Sequence, residues 1–190
     1  MNIAIIIGTT RQGRVSPRLA SWVSQKFSKS FPDININLLD LKDYRIPMLD
    51  QAPWQADRKL TDGAKKWLED LDTADGYVFV TAEYNHSFPA VLKNALDYTN
   101  GQLKRKPALI ISHGVNHGVR ANEALRMVLN STLGTVPVPA SGTFFGNVVD
   151  ILDENGGELQ DNSMNSDKIH AGIEELIWYL KALKAARVNE

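Results

Sequence analysis

Residues 3–7 read Ile-Ala-Ile-Ile-Ile, five apolar positions without a polar break. A strand with one wet face alternates in polarity. An unbroken β-branched run belongs to a strand covered on both faces, as in a parallel sheet between two helical layers. The rest of the chain keeps to that plan. Apolar runs predict further strands over 34–41, 76–82, 108–112 and 136–140, and helical spacing predicts helices over 16–30, 61–71, 89–99, 119–129 and 169–186. In the first helix Leu19, Ala20, Val23 and Phe27 share one side, and Ser16-Pro17 reads as its start, with Ser16 as N-cap. A polar, proline-bearing segment, 42–58, joins the second strand to the second helix. The fifth strand carries Pro137 and Pro139, which cannot donate to a central ladder, so it is expected at an edge. Strand–helix alternation implies right-handed crossovers and an α/β fold with helices on both faces. Five strands fit the order 2-1-3-4-5, and 190 residues fit one domain over 1–190.

Charge and cysteine content narrow the function classes. The 21 basic and 22 acidic residues leave a net charge of −1, which provides no basic footprint for nucleic acid or a membrane surface. There is no cysteine, which removes disulfides, thiolate metal sites and thiol catalysis, and which fits a reducing compartment. The run at 3–7 is far shorter than the ~20 residues of a membrane span, and no basic segment precedes it. A cytoplasmic location is the expectation.

In the 2-1-3-4-5 order ligands bind beyond the carboxyl ends of the strands, at the switch point between strands one and three. Three loops therefore matter. The first, 8–16, offers Thr9, Thr10, Ser16 and Arg11 at a helix start, a set that suits a phosphate. It is neither a dinucleotide fingerprint nor a P-loop, and it also reads as an ordinary strand–helix connection. The second, 83–89, crowds Tyr84, His86 and Phe88 beside Asn85, a surface for a planar ligand or a set of core anchors and caps. The third, 113–118, has Gly114 and Gly118, which allow close backbone approach or a plain turn. His113 and His117 have no carboxylate companion, so no metal site is expected. No G-x-S-x-G elbow supports a serine hydrolase.

Together the three loops resemble the NADPH-dependent FMN reductases, which include quinone, azo-dye and chromate reductases on a flavodoxin-like fold. The family pattern G-S-x-R-x-x-S is similar to Gly8-Thr9-Thr10-Arg11 with Ser16 downstream; Thr9 replaces the first serine and the gap after Arg11 is longer. The pattern P-E-Y-N-x-S-x-P-x-x-L-K-N-A-[IL]-D-[WY] is matched by residues 83–98, with Ala82 in the proline position. The pattern S-x-G-x-x-G-G corresponds to Ser112, Gly114 and Gly118, with His117 at the first glycine of the pair.

The resemblance implies FMN as cofactor and NADPH or NADH as donor. It places Thr9, Arg11 and Ser16 on the FMN phosphate. It places Glu83, Tyr84, Asn85 and His86 on the ribityl chain and flavin edge, and Ser112 and Gly114 on the other side of the ring. It implies hydride transfer to bound flavin and then to small acceptors by ping-pong, with no catalytic side chain required. Tyr84 and His113 are candidates to border the open flavin face, and Arg11, Arg14 and Arg120 are candidates for a 2′-phosphate. Helix 89–99 carries Val91, Leu92, Ala95, Leu96, Tyr98 and Thr99, an apolar arc wider than one sheet needs, which with the resemblance implies a homodimer or a dimer of dimers. A flavodoxin-type electron carrier and a cofactor-less binding module are the alternative functions.

Overall fold

A computed structural model describes residues 1–139, 143–159 and 163–188. Strand β1 (Asn2–Ile7) is central, paired in parallel with β2 (Asn35–Asp40) and with β3 (Gly76–Ala82). Beyond β3 lies β4 (Pro107–His113), and β4 carries the short edge strand β5 (Val136–Pro137). The order is β2-β1-β3-β4-β5. The switch point therefore falls between β1 and β3.

The fifth strand differs from its expected span of 136–140. Only two residues pair with the start of β4, Ala140 lies outside the described residues, and β6 (Phe144–Phe145) resumes the edge along the end of β4. The prolines explain how the edge survives. Val136 and Val138 donate to Lys106 O and Ala108 O, at 3.0 and 2.9 Å, so the nitrogen of Pro137 faces away from the ladder.

Period-two alternation in β1 divides the core. Ile3, Ile5 and Ile7 face α1 (Ser16–Ser30) and α6 (Ser163–Val188). Ala4 and Ile6 face the layer of α3 (Asp62–Asp72), α4 (Ala90–Asp97) and α5 (Val119–Leu129). The predicted stripe of α1 is fully buried, and Thr61 caps α3 through its hydroxyl. Trp67 of α3 is buried against Tyr44 and donates from Nε1 to Ala95 O of α4 at 2.8 Å, which locks two helices together without leaving the indole unpaired. Segment 42–58 begins with a one-turn helix, α2 (Leu41–Tyr44), that Asp40 caps. Among the described residues no helix is long and apolar enough to cross a membrane.

Two expectations change. Ser16 is not the N-cap of α1. Val15 takes that place with no side-chain cap bond, and the Ser16 side chain turns inward. The arc on α4 is not surplus either, since Tyr98 and Thr99 are buried within the chain and Arg58 donates to Tyr98 O at 3.0 Å.

Candidate active site

The carboxyl ends of β1, β3 and β4 converge on a cleft of about 610 Å³. Its walls come from loop 8–16, the start of the 83–89 loop, the loop after β4, and residues 146–148. A groove of similar size, about 660 Å³, follows the outer edge of β2 beside α2 and α3, but none of the three motif loops reaches it.

Gly8 ends β1 by donating to Val80 O at 2.8 Å, and the space where a Cβ would stand is filled by Leu92. The chain then turns, and Thr9 comes to rest fully buried, its Oγ1 donating to Ser16 Oγ at 2.9 Å. Ser16 Oγ lies 2.7 Å from His113 Nε2 at the end of β4. His113 is buried, and burial followed by the positive charge of Arg11 pushes its pKa down to about 4, so the ring is neutral at physiological pH. No side chain caps α1, Pro17 carries no N–H and the Arg18 N–H is bonded to Val15 O at 3.0 Å, so what α1 brings to the cleft that Val15 and Ser16 line is the positive end of its dipole.

Three arginines that look alike in sequence part company here. Arg14 grips Asp40 with both guanidinium nitrogens and also donates to Thr9 O, bracing the loop to the end of β2. Arg120 donates to Glu83 through both its backbone N–H and its guanidinium, each at 3.0 Å. Arg11 is exposed and lies over the Tyr84 ring, 4.8 Å from its centre.

The 83–89 loop is built on a tight turn. Tyr84 and Ser87 exchange backbone hydrogen bonds of 2.8 and 3.1 Å, with Asn85 and His86 between them at φ 49° and 69°. Positive φ at both central positions is the type I′ arrangement. Asn85 suits it, whereas His86 is held there at a cost of order 1–3 kcal/mol, a strain typical of functional loops. The side chains of Asn85 and His86 are exposed and do not line the cleft. Glu83 lines it but turns its carboxylate to the start of α5. Desolvation there opposes its charge, and the bonds from Arg120 and the Ala121 N–H outweigh that, holding its pKa below the usual range.

The third loop depends on glycine. Gly114 donates to Phe145 O at 3.1 Å with φ 154°. Ser112 is buried beneath, its N–H on Thr143 O at 3.0 Å. Of the residues expected at the site, Arg11, Ser16, Glu83, Tyr84 and Gly114 line the cleft together. Thr9 stands behind Ser16, Ser112 lies below the floor, and Asn85 and His86 stand outside. Gly146, Asn147 and Val148 line it too, and sequence reasoning missed them. Their signal was the aromatic pair at 144–145 that forms β6.

The model of the family described as NADPH-dependent FMN reductase matches residues 1–150. The chain belongs to that family. Among similar proteins, an NAD(P)H-dependent FMN reductase of Schizosaccharomyces pombe is 36% identical over 119 residues, 61% of this chain and 58% of that one. A Saccharomyces cerevisiae protein of the same description is 30% identical over 163 residues, covering 73% of this chain and 85% of its own. A flavoenzyme NAD(P)H:acceptor oxidoreductase from Paracoccus denitrificans shares the fold with a TM-score of 0.77 at 20% identity, over 94% of this chain and 98% of that one. The reductase is accordingly an FMN-dependent oxidoreductase that draws electrons from a reduced nicotinamide. Its cleft fits that cofactor: the positive end of α1 and the Arg11 guanidinium, which lies over Tyr84, flank one end, and Tyr84, Ala82, Val115 and Val148 supply apolar wall.

Proposed function

We propose that the reductase seats FMN across the ends of β1, β3 and β4 and uses it to reduce small acceptors such as quinones, azo compounds or free flavin. The observation that carries this reading is the joining of anion-binding groups and an apolar, backbone-rich wall in one cleft at the switch point. Arg11, Ser16 and the N-terminus of α1 would hold the phosphate, with Thr9 supporting Ser16 from behind. Tyr84, Glu83 and Gly114 would border the ribityl chain and ring. Asn85 and His86 would act through the backbone of their turn, and Ser112 through the floor it supports. The bound flavin supplies hydride acceptance from NADPH or NADH and hydride donation to the acceptor. The chain's part is to orient the ring, present N–H groups to its polar edge, and leave one face to be shared in turn by donor and acceptor. Shared occupancy of one face means ping-pong kinetics. The purified protein should show a flavin spectrum that anaerobic NADPH or NADH bleaches. A spectrum that neither donor bleaches would leave an electron carrier instead.

Arg11 is the exposed cation of the loop, so Arg11→Ala should weaken FMN binding by about 1.5–3 kcal/mol, the worth of a charge-assisted hydrogen bond. Riboflavin, without a phosphate, should lose little. Fluorescence titration of both flavins checks this, and equal losses would move the phosphate elsewhere.

The reading extends to a homodimer. Phe88, Ala124, Met127 and Val128 line a groove between α4 and α5, and Met127 is 71% exposed there, which suits a second copy. Sedimentation at micromolar concentration should exceed the 21.1 kDa of one chain, and Met127→Glu should return it to that mass. The absence of cysteine fits a cytoplasmic enzyme.

A further inference from the structure

Ser16 lines the cleft as a residue but is itself fully buried, and its Oγ stands just behind the wall between two buried partners, Thr9 Oγ1 at 2.9 Å and His113 Nε2 at 2.7 Å. A serine hydroxyl has one proton and two lone pairs. Thr9 donates into one lone pair, which leaves a lone pair and the proton to divide between His113 and the cleft. A bare Nε2 takes the proton, and Ser16 then shows the cleft only a lone pair, which repels an anion. A protonated Nε2 fills the lone pair instead and frees the serine proton.

We infer that His113 is a positioning residue for the anion end of the cleft: with an anion seated there, its Nε2 carries a proton and donates to Ser16 Oγ, which turns the Ser16 hydroxyl proton toward the anion. This rests on reading loop 8–16 as the phosphate site. His113 falls between the motif positions Ser112 and Gly114 and has no motif role of its own. The charged group facing its ring is Arg11, which opposes a second proton, so the Nε2–H form is the neutral tautomer with Nδ1 bare. The chain Thr9–Ser16–His113 thereby ties the ends of β1 and β4 to one ligand. The tautomer is selected by what Ser16 must donate to.

Histidine ¹⁵N spectra of the labelled protein read this directly, with the His113 signals identified by their loss in His113→Gln. Added FMN, and separately inorganic phosphate, should leave Nε2 protonated. A bare Nε2 in either complex overturns the inference. His113→Gln, which retains an N–H donor on a side chain of similar reach, should keep FMN affinity within about threefold, while His113→Leu should lose about tenfold for FMN and little for riboflavin. Equal losses for both flavins would reduce His113 to packing and also overturn it. If FMN leaves its fluorescence unchanged but phosphate shifts the ring, the flavin reading fails and the His113 assignment stands. If neither probe binds, both fail.

Discussion

Gly118→Ala should cost the reductase both stability and its flavin. Gly118 sits at φ 71° just before α5, in the left-handed region, where a side chain costs about 1–2 kcal/mol. The added Cβ would also lie 2.6 Å from His113 N, 2.8 Å from Ser112 Cβ and 3.0 Å from His113 O. These atoms are the end of β4 itself and cannot swing aside as a long side chain could. Overpacking of that kind adds about 1–3 kcal/mol, so the total is about 2–5 kcal/mol. Relief of the clash must move His113, whose carbonyl accepts from Glu83 N–H at 2.9 Å and whose ring meets Ser16, so both walls of the cleft shift with it. Gly13→Ala is the control. Gly13 has φ 69° and nothing within 4 Å of a Cβ, so in unfolding it isolates the conformational cost; because Gly13 lines the cleft, it is a control for stability alone. Urea unfolding should show a larger loss at Gly118, and FMN titration should show weaker binding there. Equal losses at the two glycines would mean that the contact with β4 is not felt.

Much of this framework is legible in sequence because it depends on local periodicity. The run at 3–7 reads as a doubly covered strand because neither face of β1 is wet, and α5 reads correctly at both ends because Leu125 and Leu129 return every turn. The loops at the switch point follow from topology once the strand order is known. What stays hidden is partnership between distant residues. Ser16 before Pro17 has the local look of a cap, and only His113, 97 residues away, shows why it turns inward. Nothing local separates Arg14 from Arg11; Asp40, supplied by the end of β2, does so. Tyr98 looks like surplus apolar surface until the 45–60 segment brings Arg58 to its carbonyl. Residues 146–148 escaped because β6, which delivers them, is two residues long and lacks a periodic signal. The site is thus readable as a set of loops, and its internal division of labour is not.

Acid should weaken the reductase through His113 before it reaches the carboxylates. Burial, then Arg11, lowers the His113 pKa from 6.5 to about 4 in the folded chain, whereas the unfolded chain keeps the ordinary value. Between those two pH values the unfolded state binds a proton that the folded state refuses. Stability is therefore unaffected by this group above about pH 6.5 and falls as pH drops toward 4. Each pH unit is worth about 1.4 kcal/mol, so the fall from pH 6.5 to 4.5 amounts to about 2–3 kcal/mol. Glu83, Asp75 and Glu158 also titrate differently on folding, but their pKa values are lowered from the carboxylate range, so the stability they contribute is lost below about pH 4.5 rather than within this window. His113→Gln cannot take the proton. Urea unfolding of both proteins at pH 6.5 and 4.5 should give a steep decline for the parent and a shallower one for the variant, the difference being about 2–3 kcal/mol. Parallel declines would mean that the imidazole is free to charge in the folded protein, and that the site holds Ser16 by some other means.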